Sequence, residues 1–124
     1  MISEHLKRFI LTSIDSVPHL EAVLLMRYDQ EIDWDAKTIA QKLYISKKRA
    51  QEILDELCAI NFIKRNTPST YSYEPDSLEL KNILDDVADI YAKNLIEVTK
   101  LIHSKTDKQA QQFGDAFKWQ TEKD

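Results

Sequence analysis

Residues 38–54, TIAQKLYISKKRAQEIL, decide the fold of this chain of 124 residues. Apolar side chains recur at three- and four-residue steps on both sides of Tyr44-Ile45-Ser46, which predicts two short helices joined by a tight turn. Asp35 and Ser46 are residue types that cap helix N-termini, so we expect a helix to begin after each of them. The apolar positions that would pack the two helices together are Ile39, Leu43, Ile45, Ala50, Ile53 and Leu54.

A β-hairpin is predicted after this helix pair. The first strand is predicted over Phe62-Ile63-Lys64-Arg65, which is rich in residues that favour strands, and residues 66–69 are types that favour turns. The second strand is predicted over Thr70-Tyr71-Ser72-Tyr73-Glu74, because residue types alternate there as they do in strands. Ile32-Asp33-Trp34 is compatible with a very short strand, and we expect Trp34 to anchor the core beside the hairpin.

Helices are predicted on both sides of this central region. Ser3 and Ser16 are candidate caps for two N-terminal helices, and Pro18 suits the first turn of the second one. After Pro75-Asp76-Ser77 the apolar spacing predicts one long helix. The expected fold is mainly α with a small β-hairpin, divided into the N-terminal helices and hairpin domain (1–77), the long C-terminal helix (78–104), and a linker with an aromatic tail (105–124).

The segment Thr38–Leu54, continued by residues 57–63, resembles the winged helix-turn-helix of bacterial transcriptional regulators. With helical flanks on both sides, the plan of residues 16–77 is similar to the MarR-like group. The resemblance implies a dimeric regulator that binds double-stranded DNA in a sequence-specific way. Helix 47–60 would lie in the major groove and residues 62–74 would form the wing. It also allows a small-molecule effector between the flanks and the winged domain.

Two features depart from the pattern of that family. Many of these turns have Gly where this chain has Tyr44, and because a bulky residue is costly at positive φ, we expect the turn to follow another path. The wing has no Gly and no Asp-x-Arg signature, and its tip, residues 66–70, carries no charge. Insertion of an arginine from the tip into the minor groove is therefore not expected.

Positive charge is concentrated in the same region. Residues 36–65 contain seven Lys and Arg against three Asp and Glu, a net charge of +4, whereas the rest of the chain carries −8. A basic face on an acidic body attracts a polyanion on one side only. The N-terminal residues of a recognition helix contact base edges, and flanking lysines contact phosphates. The candidate DNA-binding residues are Lys37, Lys42, Ser46, Lys47, Lys48, Arg49, Gln51, Lys64 and Arg65.

The long C-terminal helix has a heptad-like seam, which favours a homodimer interface. The alternative is a core helix that packs within its own chain. The seam consists of Leu80, Leu84, Val87, Tyr91, Asn94, Val98 and Leu101. The segment Phe113–Trp119 forms an aromatic cluster that we expect to dock on the body or on the other subunit.

Other function classes find little support in the sequence. There is no Gly-rich phosphate loop and no nucleophile motif, and His5, His19 and His103 pair with no Cys at ligand spacing, so we expect no catalysis, no cofactor and no metal. The single Cys58 excludes an internal disulfide framework, and the lack of a signal or membrane segment favours the cytoplasm. The alternative function is a winged-helix adaptor that recognises another protein and not DNA.

Overall fold

The computed structural model describes residues 2–105. In this part of the chain the fold is mainly helical with one antiparallel hairpin, as the sequence predicts. The elements are α1 Glu4–Ser13, α2 Val17–Tyr28, α3 Ala36–Leu43, α4 Lys47–Ala59, β1 Ile63–Thr67, β2 Thr70–Tyr73, α5 Leu78–Lys93, and a last helix, α6, over residues 95–105.

Helix starts follow local capping chemistry. At each of the first five helices the cap side chain accepts a hydrogen bond from the backbone N–H three residues later, which satisfies one of the N–H groups left free at a helix start. The caps are Ser3, Ser16, Asp35, Ser46 and Ser77. The four starts predicted from Ser3, Ser16, Asp35 and Ser46 are therefore confirmed.

The turn between α3 and α4 corrects one expectation. Tyr44 adopts the left-handed conformation, with φ 57° and ψ 44°, so the turn takes the path that glycine usually provides and not another one. The Ile45 N–H donates to the Ala40 carbonyl at 3.1 Å, which closes the end of α3. The Tyr44 side chain is 95% exposed, so its ring meets no neighbouring element and only the local steric cost remains.

The hairpin is tied to the segment before α3. In the β1–β2 pair Ile63 lies opposite Tyr73 and Arg65 opposite Tyr71, with an irregularity between Arg65 and Thr67. Trp34 forms an isolated antiparallel bridge to Tyr71 through two backbone hydrogen bonds of 2.8 and 2.7 Å. Trp34 is also almost fully buried. The core role predicted for Trp34 is confirmed, whereas the strand predicted over residues 32–34 is reduced to this one-residue bridge.

The core is centred on α2, which packs against α3, α4 and β2. Leu20, Val23 and Met26 on this helix are completely buried. At one end the Phe9 ring of α1 stacks on the Phe62 ring, with centroids 5.9 Å apart. Because α2 contacts both helices of the pair and the hairpin, it fixes the position of α4 relative to the rest of the molecule.

The C-terminal region corrects a second expectation. The predicted long helix ends at Lys93, and Asn94, with φ −135° and ψ 54°, separates it from α6. The break lets α6 return to the body, where Val98 is buried in the same core as Leu84 and Val87 of α5. These three members of the predicted dimer seam therefore lie within their own chain, and Asn94 interrupts the seam and does not set its register.

The remaining seam residues are Leu80, Tyr91 and Leu101, which are half-buried against the same core. No single helix in residues 2–105 is both long and apolar enough to cross a membrane. Only α1 and α2 taken together, bent by 106° at their junction, reach that length and composition. The aromatic segment Phe113–Trp119 lies outside the described residues.

Candidate nucleic-acid interface

The N-terminal end of α4 presents a basic surface. Ser46 caps the helix by accepting from the Arg49 N–H at 3.0 Å, and Lys47 and Lys48 follow at once with exposed side chains. Lys48 lies on the side of α4 opposite Ala50 and Ile53, which are completely buried, and Lys47 is the first residue of the helix. The positive end of the helix dipole and the two ammonium groups therefore act at the same place.

The exposed lysines of this region remain available to a ligand. Lys37, Lys42, Lys47, Lys48 and Lys64 are all exposed, and none of them forms an ion pair within residues 2–105. We call these five residues the lysine set. No acidic side chain in the described part of the chain lies within ion-pair distance of these five ammonium groups.

Asp35 connects two members of the lysine set. Its pKa is lowered, first because its carboxylate accepts hydrogen bonds from Thr38, including one of 2.8 Å from the backbone N–H. Burial opposes this shift, and the charges of Lys37 and Lys47 add to it. Lys37 and Lys47, from the starts of α3 and α4, therefore both act on the Asp35 carboxylate.

Arg49 is less available than the lysine set. Its side chain is partly buried, and its guanidinium is 3.4 Å from the Glu52 carboxylate one turn later. An exposed pair of this kind is worth little, so a polyanion competes with Glu52 at small cost.

Gln51 and Arg65 belong to a polar network around the Tyr71 hydroxyl. The Gln51 amide donates to Asp55 at 2.9 Å and to the Tyr71 Oη at 3.0 Å. The Arg65 guanidinium donates to the Tyr71 Oη at 2.8 Å and to Asp55 at 3.1 Å, and it lies 5.3 Å from the Tyr71 ring centroid. The hydrogen bond that Arg65 donates to Tyr71 and the charge of Asp55 raise the pKa of Arg65. Two predicted base or phosphate contacts are thus held by the protein itself.

Tyr71 is the site residue that sequence reasoning missed. Because it alternates with Tyr73, it is predicted to be an inward residue of β2. Its side chain is completely buried, and its hydroxyl takes part in this network. The sequence carried no signal that its hydroxyl meets Asp55 of α4, because that contact depends on how the hairpin packs on the helix. The network fixes the wing against the middle of α4.

The charge of α4 changes sign along its length. Lys47, Lys48 and Arg49 occupy the first turn, and Glu52, Asp55 and Glu56 follow. The wing tip is neutral, and Asn66 donates to Asp33 at 3.1 Å. Any polyanion on this surface therefore meets the first turn of α4 and not its full length. Cys58 is a half-buried free thiol near the end of α4.

Comparison with known proteins defines the family. A model of a domain of unknown function, DUF4423, matches residues 3–116. The chain belongs to the DUF4423 family. No curated protein and no solved structure shows significant similarity to it. Membership of DUF4423 carries no assigned activity, so the function of this member rests on the chemistry of its surface.

Proposed function

We propose that this DUF4423 protein binds double-stranded DNA through the N-terminal end of α4 and regulates transcription. The observation that supports this most strongly is the lysine set: five exposed ammonium groups without an ion-pair partner in residues 2–105, of which Lys42, Lys47 and Lys48 lie within four residues of the tight turn between α3 and α4. Phosphate neutralisation by such groups supplies most of the affinity of DNA-binding proteins. The resemblance of the sequence of residues 16–77 to the MarR-like group, which is a resemblance of sequence pattern, supports the same proposal.

In this proposal the residues have separate tasks. Lys47 and Lys48 enter the major groove with the first turn of α4, where a lysine can bind guanine O6 and N7. Lys37, Lys42 and Lys64 bind phosphates on either side and set the position of the helix. Arg49 leaves its ion pair with Glu52 and binds a base or a phosphate instead. Ser46, as the N-cap, orients the first turn of α4. Gln51 and Arg65 act indirectly, by holding the wing beside α4 through Tyr71 and Asp55.

The acidic second half of α4 limits how the helix meets DNA. Glu52 and Asp55 repel phosphates, so insertion end-on by the first turn is favoured over insertion along the whole helix. Tyr44 is exposed in the turn between α3 and α4, three residues before Lys47, and offers an aromatic face to the sugar-phosphate backbone. Shallow contacts of this kind give little affinity for a single copy.

We therefore propose a homodimer, because two copies related by a two-fold axis contact two half-sites at once. The buried seam residues Leu84, Val87 and Val98 are not available for this contact. The large apolar side chains still exposed on α5 and α6 are Leu78, Leu95 and Ile96. The proposed regulator acts in the cytoplasm, without catalysis, and a small-molecule effector is compatible with it.

The test is selection of bound fragments from a random duplex library by the purified full chain. We expect a two-fold symmetric sequence to be enriched. Binding of that sequence is then measured for Lys47→Ala plus Lys48→Ala, with Lys93→Ala plus Lys100→Ala as a control that removes two exposed charges from α5 and α6. The first variant should lose at least tenfold in affinity and the control should lose little. Failure to enrich any sequence at low salt would contradict the proposal.

A protein-binding adaptor is the second candidate, and one observation favours it. Arg49 and Arg65 are engaged by Glu52 and Asp55, so part of the predicted basic edge is already neutralised within the chain. If this function is correct, the purified chain enriches no duplex, and the Lys47→Ala plus Lys48→Ala variant retains its protein partner.

A further inference from the structure

Three potential metal ligands converge on one side of the molecule, away from the Tyr71 network. Asp15 lies in the connection between α1 and α2, His19 lies in the first turn of α2, and Glu56 lies in the last turns of α4. One ligand atom from each residue lies within 4.8 Å of the ligand atoms of the other two. Residues 37 positions apart in sequence are thus brought together by the packing of α2 on α4.

His19 is the buried member of this group and is held in a defined orientation. Its side chain is only 5% exposed, its Nδ1 is 2.6 Å from the Ser16 Oγ, and its Nε2 is 3.0 Å from the Glu56 Oε2. Without metal, Nε2–H donates to the Glu56 carboxylate and Nδ1 accepts from the Ser16 hydroxyl. In the other tautomer Nδ1–H donates to Ser16 and the lone pair of Nε2 is free to bind an ion. A histidine whose other ring nitrogen is fixed by an oxygen is the usual arrangement in metal sites.

We propose that Asp15, His19 and Glu56 bind a divalent first-row transition-metal ion, with Zn²⁺ as the representative ion. One imidazole and two carboxylates form a donor set that such ions accept. Two ligand atoms bound to one tetrahedral ion at about 2.0–2.1 Å lie about 3.3 Å apart. The observed 3.0 Å between Nε2 and Oε2 needs only a small side-chain movement to reach that spacing.

Space for the remaining ligands is present at the same place. A cavity of about 360 Å³ is lined by all three residues together with Thr12, Ser13, Ala59 and Ile60. It opens to solvent, so water can complete the coordination of the ion. The proposed site therefore has three protein ligands and an open position.

The metal-free contacts of the three residues are compatible with binding. The Asp15 Oδ1 accepts from the Lys105 Nζ at 3.1 Å, which leaves the second carboxylate oxygen of Asp15 for the ion. When an ion binds, the hydrogen bond between His19 and Glu56 is replaced by bonds from both residues to that ion; the Nε2 proton passes to water, and Nδ1 takes up a proton and donates it to Ser16. A bound ion would join the α1–α2 connection to α4, and this inference does not depend on DNA binding.

The experiment is a Zn²⁺ titration of the untagged full chain, followed by calorimetry and by thermal unfolding. The ligand variants are Asp15→Asn and Glu56→Gln, because both side chains are about half exposed or more and their replacement leaves the core intact. The control is Glu52→Gln, which removes one carboxylate from α4 four residues earlier. Unfolding without metal checks that all variants fold.

We expect one Zn²⁺ per chain, a melting temperature that rises with Zn²⁺ concentration, and at least a tenfold loss of affinity in each ligand variant but not in the control. Co²⁺ in place of Zn²⁺ should give a visible absorption band that disappears in Glu56→Gln. An absence of saturable binding, or equal affinity in all four proteins, would overturn the proposal. In that case the contact between His19 and Glu56 serves only to join α2 to α4.

Discussion

Tyr71 and Tyr73 lie two residues apart on β2 and are both buried, but their hydroxyl groups have different environments. The Tyr71 hydroxyl contacts Gln51, Asp55 and Arg65, whereas the Tyr73 hydroxyl has no hydrogen-bond partner among residues 2–105. Removing the Tyr71 hydroxyl, which hydrogen-bonds to charged side chains, should therefore lower the free energy of unfolding more than removing the Tyr73 hydroxyl, which is buried without a partner among residues 2–105.

The matched variants Tyr71→Phe and Tyr73→Phe test this difference. We expect Tyr71→Phe to lower the free energy of unfolding by about 1–2 kcal/mol, and Tyr73→Phe to leave it unchanged or raise it slightly. Urea unfolding of both variants gives the comparison. Equal losses in the two variants would show that the network around Tyr71 contributes nothing beyond burial of the ring.

Tyr73 also predicts a change of stability at alkaline pH. Burial, with a further contribution from the Asp85 carboxylate, raises the pKa of Tyr73 to about 12, and the nearby Arg27 charge only partly opposes this. Because its pKa in the unfolded chain is about 10, the unfolded state loses this proton first. The contribution of neutral Tyr73 to the free energy of unfolding is therefore complete below pH 10 and is lost as pH rises from about 10 to 12. In Tyr73→Phe the loss over that range, measured by urea unfolding, should be smaller, and an unchanged profile would contradict the assignment.

Tyr44 carries a local steric cost in the turn before α4. A non-glycine residue in the left-handed region costs roughly 1–2 kcal/mol, and the exposed Tyr44 ring offsets little of it by packing. We expect Tyr44→Gly to raise the free energy of unfolding by about 0.5–1 kcal/mol, because glycine removes this cost but adds chain entropy to the unfolded state. Tyr44→Ala is the control and should show no gain. A less stable glycine variant would mean that the Tyr44 side chain makes a stabilising contact.

Among the elements, helix starts and the hairpin could be predicted because their causes are local. Ser3, Asp35 and Ser46 cap helices with their own neighbours, and alternation at Tyr71 and Tyr73 marks the inward face of β2. The break at Asn94 could not be predicted, since residues on both sides of it keep helical spacing. Only the return of α6 to the core, which is a tertiary effect, explains the break.

Part of the candidate site could also be predicted from the sequence, because its causes are local. Exposure of Lys48 follows from the helical face opposite Ala50 and Ile53, whereas Lys47 is exposed as the first residue of α4. The engagement of Gln51 and Arg65 depends on the docking of the hairpin against α4 and has no local signal. The approach of Glu56 to His19 depends in the same way on the packing of α2 on α4.

The alternating charge of α4 gives a prediction at the scale of one element. Glu52 is exposed, pairs with Arg49, and would face phosphates in the proposed complex. We expect Glu52→Gln to tighten DNA binding, because it removes a repulsive charge and frees Arg49, and to change stability by less than about 0.5 kcal/mol. Glu97→Gln on α6 is the matched control and should leave affinity unchanged. Weaker binding by Glu52→Gln would contradict the proposed orientation of α4.

For the whole molecule, the C-terminal helices have to be assigned to the core or to an interface. Leu84 and Val98 are completely buried in a single chain, so the structure makes them part of the core. We expect Leu84→Ala to lower the free energy of unfolding by about 2–5 kcal/mol, by the same amount at every protein concentration. A loss that depends on protein concentration would mean that α5 is stabilised by a second chain.

The proposed homodimer has its own measurement at this scale. Light scattering at micromolar concentration should report two chains per particle, and Leu95→Ser plus Ile96→Ser tests whether the exposed apolar residues of α6 form the contact. One chain per particle in the wild type, with or without DNA, would remove the dimer and leave the fold unchanged.

The salt dependence of DNA binding tests most directly whether the start of α4 contacts the double helix. Binding to the selected duplex is measured at several salt concentrations for the wild type, for Lys47→Ala plus Lys48→Ala, and for Lys93→Ala plus Lys100→Ala. If Lys47 and Lys48 contact phosphates or bases, the negative slope of log affinity against log salt should become less steep by about 2 in the first variant. It should stay unchanged in the second. Equal slopes in all three proteins, or no binding at low salt, would contradict the account.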